Sequence, residues 1–183
     1  MRKSVAFYIF AAVLFLKGEG LHSGVKYDQA LFAGGCFWSL EEAFERLPGV
    51  MEAVSGYTGG HKVNPTYEEV CSGTTGHAEV VLVIYDPRKI SYRRLLEVYW
   101  GHIDPTDAGG QYADRGGQYR TAIYYRDQDQ RREAERFRNA MIKSGRYSNP
   151  VVTKILRAEK FYWAEAYYQD YYKRKAPACR LRP

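Results

Sequence analysis

Cys36 lies where a short apolar run gives way to a helical pattern, directly after Gly34-Gly35. The first turn of a helix has unpaired N–H groups and partial positive charge, both of which stabilise an anion. A thiol placed there is expected to ionise more readily than free cysteine, and the thiolate is the reactive form. Glycines just before it let the backbone approach a ligand closely. Strand, glycine turn and helix-start cysteine together make the arrangement of an activated nucleophile. A single cysteine is also common as an inert core residue. Phe37 and Trp38 follow at once, and could wall an apolar pocket or simply pack in the core. The other cysteines, Cys71 and Cys179, lie far off in sequence. There is no CxxC pair, no HExxH and no Cys/His cluster, so no metal site is expected. Three cysteines cannot all pair within the chain, so at least one thiol is free or exchanges.

The elements that must position Cys36 can be read from periodicity. Residues 28–33 read as a strand. From 36 to 47, Phe37, Leu40, Phe44 and Leu47 recur at helical spacing, and Pro48-Gly49 ends the helix. Residues 50–57 read as a second strand, followed by a polar stretch to Gly76. Residues 77–85 form a Val/Ile-rich strand closed by Asp86-Pro87. Ser91 is a candidate N-cap for a helix through His102. Residues 103–118, with two glycine pairs, read as a long loop, a feature that in a compact domain is usually functional or disordered. A strand over 119–125, a charged helix over 129–144, a strand over 151–158 and a Tyr-rich helix over 162–174 complete the pattern. The order predicts an α+β fold: a ferredoxin-like, split β-α-β core with a carboxyl-terminal α-β-α extension.

Length and composition agree. The chain has 183 residues, 45% hydrophobic and 26% charged, which fits one globular domain and excludes wholesale disorder. No repeat with a period of 20–50 residues exists, which excludes solenoids and propellers. The net charge of +6 resides in the second half. Bases there alternate with acids, as in Arg126-Asp127-Gln128-Asp129, which favours a solvated surface over a nucleic-acid patch. Residues 1–4 are basic, 5–16 are apolar, and Lys17-Gly18-Glu19-Gly20 ends the run. That is the layout of a secretory signal, since twelve residues fall short of the roughly 20 needed to span a bilayer. No A-x-A cleavage motif follows. Residues 1–24 are therefore expected to be a signal peptide or amino-terminal membrane anchor, giving a periplasmic or secreted protein. A buried helix and a cytoplasmic location stay open. The catalytic domain would run over 25–175 and a tail over 176–183.

Gly35-Cys36-Phe37-Trp38 resembles the signature of the methionine sulfoxide reductase A family. Gly56–Gly60, Asn64–Gly73, Thr75–Val80, and Asp104–Thr106 with Asp114–Arg120 resemble its further blocks in order and spacing. The resemblance runs from about residue 29 to about residue 172. It implies an enzyme that reduces methionine S-sulfoxide, in oxidised proteins and peptides or free, to methionine. Methionine sulfoxide is a polar, chiral form of a flexible apolar side chain.

The resemblance also implies roles. Cys36 would attack the sulfur and become a sulfenic acid. Glu79 would supply the proton; it begins a run rich in Val and Ile, where burial should raise a carboxyl pKa. Tyr67 and Tyr119 would donate to the sulfoxide oxygen, Asp114 would orient the substrate, and Phe37 and Trp38 would hold the methyl group. Cys179 would resolve the sulfenic acid as a disulfide, with Cys71 the alternative resolver. Thioredoxin or a thioredoxin-like thiol donor would reduce that disulfide, with no resident cofactor. A monomer is expected.

The chain departs from the family at Tyr112-Ala113, usually Gly-Asn, and at Tyr168, usually histidine. Two rival classes remain to be weighed. One is a Cys-His hydrolase or acyltransferase pairing Cys36 with His77 or His102 and Asp104 or Asp107. The other is an RNA-binding module of the same strand order, although no strand carries the aromatic pattern it needs.

Overall fold

A computed structural model describes residues 26–174. The strand β1 (Asp28–Ala33) is apolar and buried from Ala30 onward. It runs through Gly34-Gly35 into helix α1 (Phe37–Glu45), which starts directly after Cys36. Phe37, Leu40, Glu41 and Phe44 lie on the buried face of α1, as their three- and four-residue spacing requires. The chain then turns at Gly49, where φ is +100°, into β2 (Val50–Thr58).

The polar stretch that follows contains helix α2 (Tyr67–Cys71), which the sequence pattern did not suggest. Its signal was present: the Thr66 hydroxyl accepts from Glu69 N–H while the Glu69 carboxylate accepts from Thr66 N–H. Next come β3 (Ala78–Tyr85) and α3 (Tyr92–His102), the latter capped by Ser91 as expected. The expected loop over 103–118 holds a small hairpin, β4 (Gly110–Gln111) with β5 (Asp114–Arg115), and runs into a 3-10 turn (Gly117–Tyr119). Tyr112, at the hairpin turn, has φ +51°, which accounts for the glycine expected there. The next strand, β6 (Ala122–Tyr125), begins three residues later than expected. Helix α4 (Gln128–Lys143) and strand β7 (Lys154–Arg157) follow.

The expected helix over 162–174 is largely absent. Tyr162–Trp163 is instead a short strand, β8, paired antiparallel with Gly56 and Tyr57. Residues 166–170 are turns, and only 171–174 are helical. Tertiary pairing with β2 outweighs local helix propensity.

The main sheet has the order β7-β6-β1-β3-β2-β8. All its pairings are antiparallel except β6 with β7, so the fold combines helices with a mixed, mostly antiparallel sheet. One face packs on α1, α3 and α4 through Phe32, Phe44, Tyr99 and Trp100. The other carries a smaller cluster, Leu31, Val54, Val80 and Leu82, against which Phe161 packs. Covering both faces explains why β3 is apolar almost throughout.

Candidate active site

Cys36 is the N-cap residue of α1, with φ −60° and ψ 123°, and is partly buried. Gly35 makes its approach possible. Its φ is +80°, and a Cβ there would come within 2.9 Å of the Gln111 Cβ. Gly35 N–H donates to the Tyr119 carbonyl at 3.2 Å, tying the cysteine turn to the loop that precedes β6.

Glu79 is the second residue of β3, opposite Tyr57 on β2, and only 1% exposed. Its Oε2 accepts from Phe37 N–H at 3.0 Å. Its Oε1 is buried without a hydrogen-bond partner among the described residues. Burial pushes its pKa up to about 8; the Phe37 N–H opposes that rise and the nearby Asp114 carboxylate adds to it. The carboxyl is therefore largely protonated at neutral pH, with an unengaged oxygen beside the thiol.

The thiol itself overturns an expectation. Burial, and then the Glu79 carboxylate, push the Cys36 pKa up to about 12. The backbone N–H groups of Trp38 and Ser39 pull the other way, as a helix start should, but they are outweighed. At rest Cys36 is a thiol, and its ionisation is coupled to the proton on Glu79.

Tyr67 opens α2, and its backbone N–H donates to Glu165 Oε1 at 2.9 Å. Tyr119 ends the 3-10 turn. Both phenols are raised chiefly by burial, and the nearby Glu79 and Cys71 add to the rise. Cys71 is thus a neighbour of the two phenols, a position its segment did not reveal. Its thiol is itself raised, chiefly by burial. Asp114 on β5 lies close enough to raise Cys36, Glu79 and Tyr119. Phe37 and Trp38 stand with ring centroids 5.8 Å apart, and Tyr67 stacks at 6.1 and 6.0 Å from them.

The structure therefore gathers Cys36, Phe37, Trp38, Tyr67, Glu79, Asp114 and Tyr119 in one place. Cys179 lies outside the described residues. His77 does not serve Cys36: its Nε2 pairs with the Lys62 carbonyl at 2.8 Å, and its Nδ1 accepts from Gly60 N–H at 3.1 Å. The carboxylates near Cys36 belong to Glu79 and Asp114, not to Asp104 or Asp107. The Cys-His hydrolase thus loses its His77 form. Sequence reasoning also missed a set of wall residues. Tyr168 stacks on Tyr67 at 4.2 Å, and its carbonyl accepts from Trp38 Nε1 at 2.9 Å. Tyr171 lies face to face with the indole at 3.9 Å.

A partly buried thiol and a buried acid beside two phenols and an aromatic stack are the makings of a thiol-dependent enzyme. A family model described as peptide methionine sulfoxide reductase matches residues 28–182. A peptide methionine sulfoxide reductase MsrA of Listeria innocua is 55% identical over 148 residues, covering 81% of this chain and 84% of that protein. Methionine sulfoxide reductase A of Corynebacterium diphtheriae shares the fold with a TM-score of 0.74 and 32% identity, over 85% of this chain and 78% of that one. Mxr1 of Saccharomyces cerevisiae in reduced form superposes with a TM-score of 0.77 and 28% identity, over 82% and 87%. The chain belongs to the peptide methionine sulfoxide reductase family. It is an oxidoreductase that returns methionine sulfoxide to methionine by thiol chemistry, which sets aside the hydrolase and the RNA-binding module.

Proposed function

We propose that Cys36 and Glu79 carry out the reduction as a coupled pair, acting on the S epimer. The observation that carries this reading is the buried, unengaged Glu79 Oε1 beside a thiol whose charge the same carboxylate suppresses. Glu79 gives its proton to the sulfoxide oxygen, and the negative charge it would keep is relieved by taking the Cys36 proton. The Cys36 sulfur attacks the sulfoxide sulfur. The S–O bond breaks, the oxygen passes to Cys36 as a sulfenic acid, and the thioether leaves. The sulfur of methionine is reduced by two electrons and that of Cys36 is oxidised by two.

Tyr67 and Tyr119 hold the oxygen by their phenol O–H groups, which a raised pKa keeps protonated. Asp114 orients the substrate, and the half-buried Trp38 indole, backed by the buried Phe37 ring, takes the methyl group. The thiol of Cys179 then attacks the sulfenic sulfur, releasing water and leaving a Cys36–Cys179 disulfide. A thioredoxin-like dithiol reduces that disulfide by exchange. Substrates are oxidised proteins and peptides as well as the free amino acid.

The order β6-β1-β3-β2, with β3 antiparallel to both β1 and β2, supports a ferredoxin-like core beneath this site. The basic and apolar run at residues 1–16 supports export or anchoring by a leader over 1–24, ahead of a catalytic domain over 25–175 and a tail over 176–183. The test is reduction of separated S and R epimers with dithiothreitol, by wild type and the three single cysteine variants. Conversion of S alone, lost in Cys36→Ser, is expected; an unchanged S epimer would overturn the reading.

A further inference from the structure

Residues 164–174 lie along β2 and α1 as a strap, fixed by polar contacts. Beyond β8, Ala164 N–H still donates to the Ser55 carbonyl of β2 at 3.0 Å, but among the described residues no backbone carbonyl meets the Ser55 N–H. The Gln169 carboxamide takes that place. Its Oε1 accepts from Ser55 N–H at 2.9 Å and its Nε2 donates to the Ser55 carbonyl at 2.8 Å. The same Nε2 reaches the Ala164 carbonyl at 2.9 Å, so the two ends of the strap's first turn are joined. One side chain thus supplies the acceptor that a further strand's carbonyl would supply to Ser55 N–H.

Glu41 sits behind this contact on the buried face of α1 and is 2% exposed. Its carboxyl lies near Asp170 and Ser55, and its Oε1 and the Ser55 hydroxyl are both buried without a hydrogen-bond partner among the described residues. The Asp170 backbone is held at φ +52°, which swings the chain over the start of α1. Lys173 closes the outer side, donating to Glu45 at 2.5 Å and to Asp170 at 3.0 Å. The charged groups facing Glu41 are thus Glu45 and Asp170, each paired with Lys173.

The strap so fixed touches the indole twice, through the Tyr168 carbonyl and the Tyr171 ring. Tyr172 lies near Cys36 and Asp114. We propose that the partly buried Gln169 and the buried Glu41 form a polar latch that seats residues 168–172 against Trp38, and so sets how tightly the methyl side of the sulfoxide is held. They are positioning residues, and the proposal rests on the reading of Trp38 as the methyl wall. Replacing the Gln169 carboxamide by an apolar chain of similar size leaves the Ser55 N–H unsatisfied. The strap then detaches there first, and the indole loses its stack.

The experiment is steady-state reduction of methionine S-sulfoxide with dithiothreitol, reading KM and kcat separately. Gln169→Leu and Glu41→Leu are expected to raise KM about tenfold, about 1.4 kcal/mol, with kcat within about threefold. Glu41→Gln, which keeps the hydrogen-bonding shape, is expected to restore KM to within about twofold of wild type. Folded Gln169→Leu with unchanged KM overturns the latch. If both leucine variants fail to fold, Gln169→Asn, too short to reach Ser55, decides: a KM raised about threefold supports the latch, and an unchanged KM overturns it. Trp38→Ala separates the two readings. If it leaves KM unchanged, the methyl wall fails and the latch with it; if it raises KM while Gln169→Leu does not, only the latch fails.

Discussion

The backbone N–H of Phe37 donates to the carboxyl of Glu79 across 42 residues of chain. That bond holds the acid against the turn bearing the thiol, and fixes which carboxyl oxygen remains free for a ligand. It also sets a limit on Cys36, since the acid's negative form raises the thiol's pKa.

The acid role predicts a pH profile. A single turnover without reductant should slow as pH rises through about 8, where Glu79 loses its proton. Glu79→Gln should be slower by about 100- to 1000-fold and lose that inflection. Rapid-quench measurement of methionine formed between pH 6 and 9 checks both, and an unchanged inflection in the glutamine variant would remove Glu79 from the reaction.

The thiol should be quiet at rest. With its pKa pushed up to about 12, Cys36 should react with iodoacetamide more slowly than free cysteine at pH 8. Glu79→Gln removes one raising charge and should speed alkylation. Mass mapping of the labelled peptide separates Cys36 from Cys71. Rapid labelling at pH 6 in the free enzyme would contradict the burial argument.

Stability should fall with rising pH across the same range. Glu79 and Glu41 have folded pKa values of about 8 and about 7, above the ordinary carboxyl value. The folded state therefore holds more protons than the unfolded one above roughly pH 4.5. Their contribution is complete below that pH and is lost as pH rises through 7 to 8. For the almost fully buried Glu79 this amounts to a few kcal/mol, because each tenfold change in proton affinity is worth about 1.4 kcal/mol. Urea midpoints at pH 5, 7 and 9 should descend, less steeply for Glu79→Gln.

The resolving step predicts a split. Cys179→Ser should still complete one turnover and cycle with dithiothreitol, yet fail with thioredoxin as donor. Full thioredoxin-driven cycling would transfer the role to Cys71, whose thiol lies near the Tyr67 and Tyr119 phenols.

Gly56 tests the seating of β8. A Cβ there would lie 2.3 Å from the Phe161 ring and 2.4 Å from the Tyr162 carbonyl oxygen. Gly56→Ala should cost about 3 kcal/mol in urea unfolding, because backbone as well as ring must move. A loss below about 0.5 kcal/mol would mean that β8 is only loosely held.

The core of the fold was legible because its signals are local. Leu40 and Phe44 recur at helical spacing, Ser91 caps α3, and β3 is a run of Val and Ile. The ends of elements and the strap were not legible. Glu165 and Gln169 look like exposed residues of a helix, but their partners are the backbone of Tyr67 and Ser55, about a hundred residues away. The site residues were found through motif resemblance rather than pattern. The direction of the Cys36 shift was misjudged because a helix start can be read from sequence, whereas burial beside a second acid cannot.

The short outer strands have a consequence for the company this enzyme keeps. β8 offers two residues of edge, and β7 offers four, of which Lys154 and Arg157 carry exposed charge. A long bare edge would act as a template for other unpaired strands. Edges this short and charged leave little backbone, among the described residues, for another unpaired strand to extend.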